Sequence, residues 1–488
     1  MVLPALCGWA VVTGGHAFSL SWFDPFAISD GTAFAQGMVL AVFFFWGWDA
    51  AFSVTEETRS PCDSARGGLI ALFAMLGLFL FASVAFQREM SLAELIHNGP
   101  QALPYLGEKL AAEPWATLPV IALLFSAVAS VQASLIPMAR GLLAALLRAQ
   151  SVLHSHGVTA WQDAIVGAYT NMTDPAPAYR AALDRGLLTA RVVGALWWDR
   201  ERGAEQIPEL VARREELTRD RFRATSVKVM QDGIAENHTA AMLDPYLTGC
   251  GCASDNSGIS FVAPAELRKY VTELDAAGFQ VHFHALGDRA VREALDAVQA
   301  AREANGWRDT RHHLAHLQVV HPADVPRFRT LGATANLQML WAAHEPQMDE
   351  LTLPFLGAER GTRQYPFGDL LRAGATLAAG SDWPVSSPDP FQAIHVAVNR
   401  IAPEAPEGTP VFLPGQRLDL GTAVAAYTAG SAYANHLDDI TGSITVGKAA
   451  DLVVLDRDPF AGPPEEIAAT RVLETFVAGR RVHAAPGA

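Results

Sequence analysis

Cysteine and basic residues are scarce in this 488-residue sequence. The four cysteines, Cys7, Cys62, Cys250 and Cys252, are too few for a disulfide framework, and Cys250-Gly251-Cys252 has the spacing of neither a zinc knuckle nor a thioredoxin-type motif. All four are therefore interpreted as free thiols in a reducing compartment. Lys and Arg number 36 against 51 Asp and Glu, the formal net charge is −15, and no basic run occurs. This balance argues against nucleic acid and anionic lipid as electrostatic partners.

Charge is scarcest in residues 1–150, which hold 16 of the 87 charged residues and two of the 15 histidines. A single domain does not normally show such a step in charge density. The sequence therefore predicts two unlike parts that meet near residues 139–146.

Long uncharged runs dominate the first part. Candidate membrane spans lie near 37–52, 67–87 and 116–139, with 1–22 as a further candidate. A run such as 67–87, with 21 uncharged residues at 1.5 Å per residue, matches the thickness of a bilayer core. We therefore predict an all-α transmembrane segment over 1–140, and a multi-pass protein of the cell membrane that uses these helices to contact the lipid.

The basic residues predict an orientation for these spans. Four arginines fall on one side of the predicted membrane: Arg59, Arg66, Arg140 and Arg148. Because positive charge marks the cytoplasmic side, the C-terminal domain is expected in the cytoplasm.

The stretch FFFWGWDAAFSVTEETRSP (43–61) resembles the sixth span and following loop of amino acid–polyamine permeases. In that family this span is broken, and Gly47 falls where the break would lie. The resemblance covers about 1–140 and lacks the first four spans, so a working carrier is not expected. An alternative interpretation is a permease-related membrane fragment with a non-catalytic barrel appendage.

From about residue 145, short β-rich runs alternate with helical stretches. Seven strands are predicted: Val158–Ala164, Leu187–Trp198, Thr225–Asp232, Phe279–Leu286, Arg311–Leu317, Ala333–Leu340 and Thr376–Trp383. This alternation favours an α/β fold with a parallel sheet, most often a (β/α)8-type barrel, here over 145–435. Two further strands, Ser443–Asp456 and Val472–Val482, predict a small C-terminal β-sheet over 436–488, and the glycines of 442–456 suit a hairpin.

Polar residues gather where four of these strands end, which is where barrel enzymes place their active sites. They are Lys228, His282, His284, His312, His313, His316 and Asp382. Each alone has an ordinary explanation: a strand histidine in the core, an outward lysine, or a turn aspartate. Together they predict a metal site, because imidazole and carboxylate ligate zinc, manganese and iron.

Six segments carry a second resemblance. They are SHGVTAWQDA (155–164), VKVMQDG (227–233), HALGDRAV (284–291), LAHLQVVHPADVPRF (314–328), AGSDWPV (379–385) and GSITVGKAADLVVLD (442–456). They resemble the amidohydrolase superfamily, specifically the YtcJ-like group with the N-substituted formamide deformylases. The resemblance implies hydrolysis of a non-peptide carbon–nitrogen bond in a small amide-type substrate by metal-activated water.

The same resemblance assigns roles to four residues. Lys228, when carboxylated, would bridge divalent metal ions, most often zinc, and His284 and His316 would be ligands. Asp382 would bind metal and serve as general base, so Asp382 and Lys228 are the expected catalytic residues.

The sequence departs from that family before the second barrel strand. The family's first strand ends in a His-x-His pair, and permease-like sequence replaces it here. His154-Ser155-His156 lies at a predicted helix end, and His282-Phe283-His284 lies on the fifth strand, where only His284 matches a ligand and His282 is expected to support the site. We therefore expect a barrel that lacks its first strand, a C-terminal β-sandwich remnant and an impaired site, so whether the chain is an active enzyme stays open.

Overall fold

The computed structural model of the chain describes residues 2–19, 61–97, 102–110, 141–169 and 172–487. The chain divides into two compact units, Met1–Ala144 and Ala145–Ala488.

The described part of the first unit is helical. It contains α1 (Val2–Thr13), α2 (Pro61–Glu89), α3 (Leu92–His97) and α4 (Ala102–Leu110). Ala10 of α1 and Ala85 of α2 are fully buried against each other's helices, and Phe81 packs on the same cluster. Small residues at this contact let the two helices approach closely.

The predicted location as a multi-pass membrane protein is wrong for the part of the chain that the structure describes. No helix there is both long enough and apolar enough to cross a bilayer. The run 67–87 lies within α2, where Phe81 and Ala85 pack on α1 and Leu69, Ile70 and Phe73 are exposed. An uncharged run cannot by itself distinguish a helix that packs on protein from one that faces lipid. The candidate spans 37–52 and 116–139, and Gly47, lie outside the described residues.

The second unit is built on a parallel sheet, as predicted. Its strands are β1 (Ala160–Val166), β2 (Arg191–Trp197), β3 (Phe222–Met230), β4 (Gln280–Ala285), β5 (His313–His316), β6 (Thr334–Leu337) and β7 (Thr376–Ala379). Each strand pairs with the next in chain order, so the spatial order is β1 to β7. All six residues of β4 are buried, as expected for a strand covered on both faces. The seven predicted strands are therefore confirmed.

The sheet is a half-barrel in the described residues. There, β1 pairs with β2 and β7 pairs with β6, and no pairing joins β1 to β7. Helices alternate with the strands along the chain. They are α5 (described over 141–155), α6 (Ala176–Asp184), α7 (Ile207–Leu217), α8 (Pro264–Ala276), α9 (Asp288–Asn305), α10 (Val325–Leu331), α11 (Leu353–Gly361), α12 (Phe367–Arg372), α13 (Pro390–Asn399), α14 (Leu420–Ala425) and α15 (Ser431–Ala434).

A buried carboxylate connects the central strands to their helices. Asp275 of α8 is fully buried and accepts hydrogen bonds from Asn305 Nδ2 (2.9 Å), Thr310 Oγ1 (2.8 Å) and His312 Nε2 (3.0 Å). His312 in turn accepts the backbone N–H of Val281 in β4 at its Nδ1, at 3.0 Å. This chain of hydrogen bonds connects α8, α9, the beginning of β4 and the residue before β5. It therefore lies at the N-terminal ends of the two strands whose C-terminal ends carry His284 and His316.

The C-terminal residues form a separate antiparallel sheet of β8 (Leu452–Leu455), β9 (Val472–Val477) and β10 (Arg480–Ala484), in the order β10–β9–β8. A small sheet was predicted here, but the hairpin was placed wrongly. It connects β9 to β10 through Ala478 and Gly479, and no strand forms at 443–451. Ile444 and Val446 are almost fully exposed there, so neither side chain packs against another strand.

Candidate metal site

Lys228 lies near the end of β3 with its side chain in the interior. Its residue is 4 % exposed, and Nζ lies 2.9 Å from His282 Nε2. The register of the sheet produces this contact, because Lys228 pairs with His282 across β3 and β4. Burial lowers the pKa of Lys228 to about 8, and the charge of Asp382 opposes that effect. At pH 7 an amine with a pKa of about 8 is about one-tenth neutral, and the neutral form is the one that reacts with carbon dioxide.

His284 and His316 meet at the ends of β4 and β5. Their ring centroids are 4.5 Å apart, with the planes at 67°. His284 Nε2 lies 3.2 Å from the carbonyl oxygen of Gly233, to which it can donate. Burial lowers the pKa of both histidines well below the usual value, so both rings are neutral at pH 7. Neutral imidazole with one nitrogen on a backbone carbonyl is the usual state of a metal-binding histidine.

The position of His316 depends on its neighbours. The side-chain oxygen of Gln338 accepts the His316 backbone N–H at 2.6 Å, and the Trp341 ring stacks on the imidazole at 5.4 Å and 14°. The backbone of His316 and Leu317 lies in the left-handed region, with φ of 82° and 51°. Such conformations cost free energy and occur often at functional sites.

His282 and His313 form a second pair behind the first. Their ring centroids are 4.2 Å apart. His313 is held by Gln162 Oε1 at its Nε2 (3.1 Å) and by Asn336 Nδ2 at its Nδ1 (3.3 Å), so both of its nitrogens are occupied. His282 contacts Lys228, as expected for a residue that supports the site.

Asp382 follows β7, at the same end of the sheet. It is half-buried, and its backbone also lies in the left-handed region, with φ of 55°. Its carboxylate opposes the burial-driven fall in the pKa of Lys228 and of His284, so it lies within electrostatic range of both.

Asp232, which directly follows the VKVMQ run, was not predicted as a site residue. Its carboxylate is fully buried and accepts the backbone N–H groups of Ala241 (3.0 Å), Leu286 (3.1 Å) and Gly287 (2.8 Å). These bonds tie the segment after β3 to the end of β4, and so hold the Gly233 carbonyl near His284. The position of Asp232 after a predicted strand was a signal that could have indicated its role. Its hydrogen-bond donors could not be predicted in this way, because they come from segments distant along the chain.

The pair His154 and His156 is not placed as a ligand pair. Both ring nitrogens of His154 are occupied, Nδ1 by the Val158 carbonyl at 2.9 Å and Nε2 by the Thr189 hydroxyl at 2.8 Å. His156 lies at the end of α5, 3.7 Å from Asp389.

In the described residues, no three His, Cys, Asp or Glu side chains converge closely enough to hold a metal ion. The structure therefore brings His284 and His316 together, with Lys228 beside them as a donor of another type, and leaves Asp382 further out. The chemistry of the donors still fits a divalent cation. His316 Nδ1 and His282 Nδ1 are buried without a hydrogen-bond partner, which is costly unless another group satisfies them.

Two curated proteins are similar to about half of this chain. The chain is 27% identical over 258 residues to the amidohydrolase YtcJ of Bacillus subtilis (strain 168), and 28% identical over 263 residues to the N-substituted formamide deformylase of Arthrobacter pascens. Each match covers 53% of this chain, and 47% and 45% of the relatives, so the chain spans less than half the length of either.

A solved structure has a similar fold. An uncharacterized metal-dependent hydrolase from Pyrococcus furiosus is 25% identical, with a TM-score of 0.51 over 64% of this chain and 59% of that one. The model of the Amidohydrolase family matches residues 113–483. That match begins within the region where permease-like sequence was predicted, and the permease resemblance of 1–140 stays a prediction. The chain belongs to the amidohydrolase family.

Proposed function

We propose that this chain hydrolyses a non-peptide carbon–nitrogen bond in a small amide or formamide. Membership of the family and similarity to metal-dependent hydrolases imply a divalent metal ion. Zinc is the ion we propose, because neutral imidazole is a preferred zinc ligand. The name of the Arthrobacter relative, an N-substituted formamide deformylase, supports the substrate class.

The observation that carries the proposal is the contact of His284 with His316 at the ends of adjacent strands, at 4.5 Å between ring centroids. Two buried neutral imidazoles cost desolvation and do not hydrogen-bond each other, so packing alone does not explain them. Lys228, carboxylated on its partly neutral amine, would complete a set of three donors with a net negative charge. Three protein ligands with an open position are typical of a catalytic zinc site.

The chain's own residues then divide the work. When bound, the divalent ion would lower the pKa of water and polarise the substrate carbonyl. Lys228, His284 and His316 would hold it, and Trp341 would keep the His316 ring in place. Asp382, outside this set and half-exposed, would accept the proton of the attacking water and pass it to the leaving nitrogen.

We further propose that this activity is impaired. His16 and His97 are the histidines of the sequence before residue 151, and in the one His-x-His pair before β1, His154 and His156, both ring nitrogens of His154 are occupied by Val158 and Thr189. With Asp382 outside the compact set, one tightly held ion per chain is expected rather than two. Loss of a second metal should cost the transition state several kcal/mol, or roughly a thousandfold or more in rate.

Metal content of the purified full chain tests the ligand assignment. We expect at most one zinc ion per chain after dialysis, and loss of that ion in both His284→Ala and His316→Ala. His483→Ala, in the separate C-terminal sheet, is the matched control and should retain it. Metal content unchanged by both substitutions would show that the assignment is wrong.

Turnover of N-substituted formamides by the zinc-loaded chain tests the rest. Weak hydrolysis that disappears in Asp382→Asn, with zinc retained, would support both the reaction and the role of Asp382. Brisk hydrolysis, or two ions per chain, would contradict the impairment but not the reaction class. No hydrolysis of any amide by a chain with full zinc would contradict the reaction.

A further inference from the structure

Two thiols lie in contact at the tip of the loop between β3 and α8. Cys250 Sγ and Cys252 Sγ are 3.3 Å apart, and both residues are exposed. A disulfide has an S–S distance of about 2.05 Å, so the sulfurs must close by only about 1.3 Å to form a bond. Neither cysteine belongs to the proposed metal site.

The backbone holds the pair in this geometry. The N–H of Thr248 donates to the carbonyl of Cys252 (2.7 Å), and the N–H of Gly251 donates to the carbonyl of Thr248 (2.8 Å). Gly251 has a φ of +79°, a left-handed conformation that a glycine adopts without strain. Below the tip, the N–H of Leu247 donates to the Phe355 carbonyl at 2.8 Å. The thiols therefore stand on an anchored turn.

Thr248 also acts on the sulfur directly, because its hydroxyl oxygen lies 3.1 Å from Cys250 Sγ. Hydrogen bonds from the Thr248 hydroxyl and from the backbone and thiol of Cys252 lower the pKa of Cys250 from 9.0 to about 7. Exposure, a stabilised thiolate and an adjacent second thiol are the features of a redox-sensitive cysteine. In the described residues no third His, Cys, Asp or Glu side chain joins the pair, so the arrangement does not suit a metal ion.

We propose that Cys250 and Cys252 form a peroxide-sensitive dithiol, in which Cys250 is oxidised first and Cys252 closes the disulfide. The Cys250 thiolate attacks one oxygen of hydrogen peroxide, the O–O bond breaks, and hydroxide leaves to give a sulfenic acid. The Cys252 sulfur then attacks the Cys250 sulfur, the S–O bond breaks, and water leaves. In sum, two thiols and one hydrogen peroxide give one disulfide and two waters, and a small dithiol reductant reverses the reaction.

The expected gain in rate is modest. At pH 7 a thiol of pKa 7 is about half ionised and one of pKa 9 about 1 % ionised, a ratio of about 50. A thiolate whose pKa is two units lower is intrinsically about eightfold less nucleophilic than the thiolate of the ordinary thiol. Cys250 should therefore react about sixfold faster than an ordinary exposed thiol.

The test uses the full chain with Cys7→Ser and Cys62→Ser, reduced and then treated with one equivalent of hydrogen peroxide. We expect an intact mass lower by two hydrogen atoms, no free thiol, and no covalent dimer. With Cys252→Ser added, dimedone should trap a sulfenic acid on Cys250. With Cys250→Ser added instead, the remaining thiol should react more slowly at pH 7, because the Thr248 hydroxyl contacts the sulfur of Cys250.

Thr248 supplies a matched pair of variants. Thr248→Val should slow the oxidation of Cys250 severalfold and move the midpoint of its pH–rate profile upward, and Thr248→Ser should retain both. Equal rates for the two single-cysteine chains, disulfides formed only between chains, or no effect of Thr248→Val would overturn the proposal. None of these results depends on whether the chain hydrolyses amides.

Discussion

Removal of the Asp275 carboxylate should destabilise the second unit strongly. Asp275 is fully buried and accepts hydrogen bonds from Asn305, Thr310 and His312, and Arg302 Nη1 lies 3.6 Å away. Asp275→Ala would leave these donors buried without their acceptor. Breaking such a buried charged network costs about 3–5 kcal/mol of the free energy of unfolding.

Two variants calibrate this effect. Asp275→Asn keeps the oxygen that faces Thr310 and His312 but turns an NH2 group towards Asn305, so we expect a smaller loss of about 1–3 kcal/mol. Glu216→Ala removes an ion pair with Arg180 in which both side chains are mostly exposed. That control should change the free energy of unfolding by at most about 1 kcal/mol.

The free energy of unfolding is measured by urea titration of the full chain with tryptophan fluorescence as the signal. Zinc content is measured for the same variants. Because His312 aligns β4 with the start of β5, Asp275→Ala should also weaken zinc retention at His284 and His316. A loss below about 1 kcal/mol for Asp275→Ala would show that the network does not hold these strands.

Three further outcomes are expected. Burial raises the pKa of Asp275, but the hydrogen bonds from His312 and others outweigh this and lower it to about 2, below the unfolded value of about 3.9. The stability that this carboxylate contributes is therefore complete above about pH 4 and is lost as the pH falls towards 2. The urea midpoint of the unmutated chain should fall over this pH range, and Asp275→Asn should reduce that fall. Lys228→Met should abolish zinc retention. It should not lower the thermal midpoint of the metal-free chain, because a buried amine costs free energy that a methionine does not. A clear fall in that midpoint would contradict this expectation. Trp341→Ala should weaken zinc affinity about tenfold in a competition titration, because the indole ring that stacks on His316 is lost. Trp341→Phe keeps an aromatic ring there and should weaken the affinity much less. Equal affinities of the two variants would contradict the stacking role.

Local sequence patterns predicted the sheet well. Strands such as β4, with six consecutive buried residues, stand out in the sequence as short β-rich runs between helical stretches. The same local reasoning failed for 67–87, because an uncharged run reports the composition of a helix and not what surrounds it. It also failed for the C-terminal hairpin, since glycines at 442–456 permit a turn but cannot supply a partner strand.

The supporting groups of the site could not be predicted in the same way. Asp232 accepts N–H groups from Ala241, Leu286 and Gly287, and Gln338 reaches His316 from a later strand end. Such partners are distant along the chain. The cysteines were expected to be free thiols, and only the turn around Gly251 brings their sulfurs to 3.3 Å.

By itself, the sequence indicated that His284, His316 and Asp382 stand at or just after strand ends, because their positions follow from the predicted strands, whereas His312 and His313 lie at the start of β5. Only the tertiary structure decided which of them meet. The parallel register sets Lys228 opposite His282, and the bend after β5 turns His316 towards His284. A shift of one residue between strands would send these side chains to opposite faces of the sheet. Register depends on packing across the whole sheet, and for that reason no local pattern could specify it.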